Sequence, residues 1–318
     1  MKEKNKLGWK LHLIIALAML AIILVCVFKL WKWNTTDTVV LEEVEAGTFD
    51  YESLDFVFNV DSEILAEHGT DDINTILVIG DDVMTHRDTP ESKNLVEKLE
   101  EIPDSEIISL CLGSTSVSDT QNAYTTDDVT YWQAGNLYDV LKALATRDFS
   151  LQKEALDNDA FITADYYATL SSVDLNEIDT LFIMYSSVDY LGTHALYNPE
   201  DDYDTSTYEG ALRASIHLIQ DNFPHIRIVV GSPFLHNVML EDGSLVPATT
   251  INYGNGNLSE FVMRGYNIAM ECCVSYEDNF FGLISEETVN DYSYFNYLLD
   301  PGVELIGDHM VQYFQLKY

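Results

Sequence analysis

The sequence predicts an α/β domain built on a five-stranded, mostly parallel, doubly wound sheet in a three-layer sandwich, preceded by a transmembrane helix. Three observations predict it: a charge-free run near the N-terminus, short apolar segments that stop at glycine, and amphipathic stretches between them. At 318 residues the chain has room for one such domain plus an anchor, and no Pro/Gly/Ser-rich linker divides it.

Leu13 to Phe28 carries no charge, and with Leu11, His12 and Leu30 the stretch approaches the roughly 20 residues that span a bilayer core. Lys2, Lys4, Lys6 and Lys10 precede it, while only Lys29 and Lys32 follow closely, so residues 1–10 form a cytoplasmic tail and everything after Asn34 lies outside. Trp9, Trp31 and Trp33 flank the span, where indoles favour the interface. Cleavage as a signal peptide is disfavoured because the following residues, VCVFKLWKW, are bulky. Val25 before Cys26 likewise disfavours a lipoprotein signal.

Six of the 16 basic residues and one of the 53 acidic ones lie at or before Lys32, leaving 10 basic and 52 acidic residues outside, a net of −42. That surface repels phosphate, so nucleic acid is excluded as a partner, and anionic headgroups push the domain away from the membrane surface. Three cysteines remain outside, Cys111, Cys272 and Cys273; Cys111 ends an apolar run and Cys272 falls on a helix's apolar face, so buried free thiols are favoured over a disulfide framework, and no zinc-type spacing exists.

Residues 31–73 read as an acidic spacer that contributes at most an edge element, and residues 74–318 as the domain. Thr75 to Ile79 (TILVI) is the first buried strand, stopped by Gly80. Thr89-Pro90-Glu91 starts a helix with Leu95 and Leu99 on its buried face. Glu106 to Leu112 is the second strand, and Leu137, Leu141 and Leu144 mark a helix within 132–145. Leu181 to Tyr185 is the third strand, and Ser206-x-x-Glu209 caps a helix that Pro224 ends. Ile226 to Gly231 is the fourth strand, Asn257-x-x-Glu260 opens another helix, Phe280 to Ile284 is the fifth strand, and a last helix covers roughly Val303 to Phe314. In such a sheet ligands bind at the carboxyl ends of the strands.

At those ends ILVIGDD resembles the strand and turn that open SGNH/GDSL hydrolases, LCLGSTS their second block, LFIMYSSVDY their third, and DPGVELIGDHMVQYF the last block and closing helix. The resemblance covers roughly Thr75 to the C-terminus. It implies a flavodoxin-like sandwich and acyl-ester hydrolysis or acyl transfer by a serine, a histidine base, an orienting aspartate and N–H groups that hold the oxyanion.

Residue by residue, the match departs from that chemistry. The nucleophile position holds Asp82; the second block keeps Gly113, whose N–H could face an oxyanion; the position of the donor asparagine holds Val188. The best match to the histidine is Glu304, with Asp300 one residue too far upstream and Pro301 in the aligned place. His309, inside the closing helix, and Ser186 or Ser187 with His194 are weaker substitutes. Tyr185, Tyr190, Phe234 and His236 offer aromatic faces for a sugar. Asp82, Asp300 and Glu304, with Asp81 or Asp189, are candidates for a Ca²⁺ site, but cap and turn roles are favoured and no metal or other cofactor is expected.

The leading expectation is a membrane-anchored, catalytically degenerate SGNH/GDSL hydrolase-like protein with a binding or accessory role in cell-envelope polysaccharide acylation. The family analogy suggests cell-wall or capsular polysaccharide and a membrane-bound O-acyltransferase as partners. The alternative is an active esterase, deacetylase or acyltransferase with a non-standard nucleophile.

Overall fold

The computed structural model describes Met19 and residues 53–69, 73–121, 131–158 and 161–316. The basic tail, the expected membrane span apart from Met19, and residues 31–52 of the spacer lie outside the described residues. Among the described residues, no helix is long and apolar enough to cross a membrane.

Strands β1 (Asn74–Gly80), β2 (Ser105–Cys111), β3 (Thr180–Met184), β4 (Arg227–Gly231) and β7 (Ser275–Glu277) form one parallel sheet in the order β2-β1-β3-β4-β7. β3 is buried along its whole length and β1 from Ile76 onward, which explains why both read as unbroken apolar runs rather than alternating ones. Two small hairpins, β5–β6 (Asn237–Met239 and Leu245–Pro247) and β8–β9 (Ser293–Tyr294 and Tyr297–Leu298), lie outside the sheet.

The helices are α1 (Ser62–His68), α2 (Leu95–Leu99), α3 (Leu137–Thr146), α4 (Ser150–Asn158), α5 (Ala164–Ser172), α6 (Val188–Leu191), α7 (Tyr208–Asn222), α8 (Leu258–Glu271), α9 (Val289–Tyr292) and α10 (Asp300–Gln315). α3 packs on α7 and α7 on α8, while α10 packs on α2. Right-handed crossovers from a sheet of this order place those two groups on opposite faces, giving three layers. At the seam between β1 and β3 a Cβ on Gly80 would lie 2.1 Å from the Met184 carbonyl oxygen, so only glycine fits.

Several boundaries differ from the expectation. The fifth strand is Ser275–Glu277, not 280–284, where bends and turns follow it. Ser275 and Glu277 are polar yet buried, and their partners are distant in sequence: Ser275 Oγ accepts from Phe58 N–H at 3.0 Å, and Glu277 pairs with His309. α2 starts not at Thr89-Pro90 but at Asn94, whose side chain forms a reciprocal capping box with Glu97. The N-cap of α7 is Thr207 rather than Ser206. The Asn257/Glu260 box at the start of α8 forms as read.

Residues 53–69, read as spacer, are packed on the domain. Phe56 and Tyr276 exchange two backbone hydrogen bonds, of 3.1 and 3.0 Å, adding an antiparallel bridge at the β7 edge. Nearby, Asp278 Oδ2 accepts from Leu54 N–H at 2.8 Å, and Asp55 Oδ1 accepts from Asp278 N–H at 2.6 Å.

Candidate functional site

A sheet of order β2-β1-β3 reverses its winding between β1 and β3, and the crevice of such sheets opens there, outside the carboxyl ends. Asp81 and Asp82 follow β1 at this point. Asp81 is sealed from solvent and accepts hydrogen bonds from the Val83 and Ser186 amides and the Ser186 hydroxyl. Burial pushes its carboxyl up to about 7, against the Ser186 hydroxyl, with the Asp82 charge adding to the rise. Asp81 thus ties the β1 turn to the β3 turn.

Asp82 is only partly buried and accepts a hydrogen bond from the Tyr297 hydroxyl at 3.1 Å. Burial and the Asp82 carboxylate push the Tyr297 phenol up to about 12, so it donates throughout the neutral range. The His86 ring lies 4.4 Å from that of Tyr297. A Cβ on Gly113 would sit at ordinary contact distance from Asp82, 3.4 Å from its Cβ, so the two residues are neighbours, as the block alignment requires. That spacing also means glycine is not forced at 113 by crowding. Ser114 follows, exposed and left-handed at φ 65°, a conformation that costs a non-glycine residue energy and concentrates at functional sites. Tyr297 and His86 were not anticipated from the sequence, because neither belongs to a block that the resemblance could align.

The other aligned positions are placed as follows. Val188 begins α6, nearly buried, with an apolar side chain that donates nothing. Asp300 is the first residue of α10, and its amide donates to Asp88 at 3.4 Å. Glu304 points to α2, its carboxylate 3.0 Å from Lys98 Nζ and its side chain 59% exposed. Lys98 also holds Asp308 at 2.8 Å, so this patch is a helix-to-helix ion network. Among the described residues, no three His, Cys, Asp or Glu side chains come close enough to share a metal ion, so Asp82, Asp300 and Glu304 do not converge as a cation site with Asp81 or Asp189.

His309 lies within α10 with both ring nitrogens engaged: Nδ1 is 2.8 Å from Glu277 and Nε2 2.9 Å from Asp55. Burial works against its charge, but the two carboxylates prevail and raise it to about 10, so the ring is an imidazolium donating from both sides. An imidazolium with both protons committed cannot serve as a base.

His194 pairs with neither Ser186 nor Ser187. Its Nδ1 lies 2.7 Å from Ser118 Oγ and 3.1 Å from Asp189 Oδ1, while Asp189 also accepts from the Val117 and Ser118 amides at 2.9 and 3.0 Å. Burial alone would raise the Asp189 carboxyl, but His194 and Ser118 outweigh it and hold it below its ordinary value. A serine, a histidine and an aspartate therefore meet, yet not as a catalytic triad. In a triad the two ring nitrogens face the serine and the aspartate separately. Here both partners crowd Nδ1, and all three side chains are buried. The cluster pins the loop after β2 to α6.

The aromatic faces expected for a sugar are not available. Tyr185, Tyr190, Phe234 and His236 are exposed by only 4%, 0%, 1% and 1%. The Tyr190 hydroxyl donates to the Ala248 and Ile251 carbonyls, and His236 Nδ1 lies 3.0 Å from the Asn237 carbonyl, its imidazole pushed down to about 4 by burial. These four follow β3 and β4 so closely that they belong to the core beneath the crevice.

No family model matches the chain, and no curated protein matches it in sequence. Among solved structures, a Lactobacillus plantarum protein superposes with a TM-score of 0.51 at 12% identity, covering 78% of this chain and 100% of its own. Another crystal structure gives 0.51 at 13% identity, over 76% and 96% of the two chains. A putative GDSL-like lipase from Bacteroides ovatus superposes less well, at 0.47 and 11% identity over 77% and 99%. At these identities the likeness is one of fold, that of a three-layer α/β domain whose parallel sheet runs in the order β2-β1-β3-β4-β7.

Proposed function

We propose that the protein is a membrane-anchored, extracytoplasmic SGNH/GDSL hydrolase-like protein that does not hydrolyse esters through a serine, and that it serves as a binding or accessory component of cell-envelope polysaccharide acylation. One observation carries the first part: the residue at the nucleophile turn, beside Gly113, is Asp82, with its carboxylate on the Tyr297 hydroxyl. A carboxylate there cannot form the serine's acyl ester. Three placements support it: Val188 offers no oxyanion donor, Glu304 is drawn to Lys98, and His194 and His309 are each held by carboxylates elsewhere. Loss of one oxyanion donor alone costs a rate factor of roughly 10² to 10³.

The anchor and the accessory role rest on the lysine bias around residues 11–30 and on the resemblance of the blocks. Two measurements test the proposal. Purified full-length chain should hydrolyse 4-nitrophenyl acetate no faster than buffer. N-terminal sequencing of the membrane fraction should find the N-terminus intact, and a mature start between residues 29 and 50 would contradict the anchor.

The second reading is an active esterase, deacetylase or acyltransferase, and one observation favours it: Ser114, exposed and left-handed, directly follows Gly113. No histidine is hydrogen-bonded to Ser114 among the described residues. Measurable acetate release that Ser114→Ala abolishes would replace the first reading with this one.

A further inference from the structure

A cleft of the domain lies away from Asp82. It lies between the loop after α6 and the loop that leads into α8, has a volume of about 1030 Å³, and opens to solvent. That is at the upper end of the roughly 300–1,000 Å³ typical of small-ligand sites. We propose that this cleft binds an uncharged oligosaccharide, a step that rests on the polysaccharide-binding part of the function proposed above.

Two tyrosine rings lining the cleft are exposed, Tyr197 by 50% and Tyr253 by 38%. Each is braced by a fixed neighbour. The Tyr253 ring packs 5.3 Å from Tyr190, whose hydroxyl is held by the Ala248 and Ile251 carbonyls. The Tyr197 ring lies 4.8 Å from the Arg264 guanidinium, which is anchored 3.3 Å from Glu209. The connecting loop is also fixed: Asn252 Oδ1 accepts from the Gly254 and Gly256 amides at 2.7 and 3.1 Å, and those glycines take φ values of 102° and 110°. Rings held in place before binding lose little entropy when a ligand arrives.

Apolar C–H faces of a sugar match such rings, while its hydroxyls need acceptors and donors with fixed directions. The cleft supplies the exposed Asn267 for this purpose. Asn255 spends its Nδ2 on the carbonyls of Tyr190 and His194, both at 3.1 Å, which braces the loop that carries Tyr253.

The charge balance selects an uncharged ligand. The two charged residues of the lining are already engaged, Arg264 with Glu209 and Glu260 with the Asn257 amide at 2.9 Å. The net of −42 after Lys32 further repels an anionic glycan.

The test is saturation-transfer NMR and titration of the full chain in detergent micelles with chitohexaose, maltohexaose and xylohexaose, and with hexagalacturonate as the anionic comparison. At least one neutral hexasaccharide should bind and hexagalacturonate should not. Tyr197→Ala or Tyr253→Ala should raise Kd by about tenfold, the worth of one stacked ring. Tyr253→Phe keeps the ring and the fold and should stay within about threefold, the loss of one modest hydrogen bond. Absence of binding by every neutral hexasaccharide overturns the proposal, as does a preference for hexagalacturonate. Binding that survives both alanine variants also overturns it, by moving the glycan site elsewhere while leaving the accessory function standing. Ester hydrolysis, by contrast, would strike that function and not the cleft.

Discussion

The carboxyl ends of β7 and β1 carry the same residue chemistry in opposite states. At the end of β7, Glu277 and Asp278 are sealed and fully used: Glu277 on His309, Asp278 on the amides of Leu54, Phe280 and Phe281. Beyond β1, Asp81 is sealed in the same way, but the next carboxylate, Asp82, remains partly open, with a tyrosine hydroxyl on one side and glycine on another. Sealed carboxylates fasten the chain: Asp278 takes the Leu54 amide and Glu277 holds His309, whose other ring nitrogen meets Asp55, and together they lock residues 53–58 to the sheet edge. Asp82, by contrast, stays partly open, and Ser114 after its neighbour Gly113 is exposed.

The largest expected effect is therefore at the sealed end. His309→Ala leaves Glu277 buried without its cation and should destabilise the domain by about 3–5 kcal/mol, read as a shift in urea midpoint. A shift close to zero would remove the contrast. Asp189→Ala leaves the Val117 and Ser118 amides unpaired and should cost about 1–3 kcal/mol in the same measurement.

The alkaline limb of stability sharpens the same contrast. His309 is raised from its ordinary value to about 10 in the folded protein, so its contribution is fully present below pH 6.5 and lost as pH rises through 10. The melting temperature should fall across that window, and His309→Gln should flatten the fall. At the open end, Asp82→Ala should change stability by no more than about 0.5 kcal/mol, as for a surface position. Asp82→Ser should recover little esterase activity, because nucleophile, donor and base act as one unit. A large stability loss in Asp82→Ala would mean that this end too is framework.

What was legible in the sequence follows the range of the interactions. β1 and β3 were readable because burial on both faces leaves only apolar residues, and the Asn257/Glu260 box because its partners are three residues apart. β7 was not, since Ser275 and Glu277 look like loop residues until Phe58 and His309 are brought beside them. The same holds for Phe56, whose strand partner Tyr276 is 220 positions away. At the site, Asp82 and Gly113 were aligned by the blocks and do lie together, whereas Tyr297 reached Asp82 from a hairpin that carries no recognisable pattern. The sugar-facing aromatics were misplaced for a related reason. Position after a strand indicates nearness to the crevice but not which side of the last packed layer a ring occupies, and Tyr185 and Phe234 fall beneath it while Tyr197 and Tyr253 stay exposed.

Serine acylation decides the central claim most directly. The full-length chain, treated with a fluorophosphonate probe and analysed by peptide mass spectrometry, should show no stoichiometric modification, since the turn that aligns with the nucleophile of the resembled family holds Asp82, and Ser118, beside His194, is buried with its hydroxyl on Asp189. Stoichiometric labelling of Ser114, Ser118, Ser186, Ser187 or any other serine would contradict the account and identify an active hydrolase.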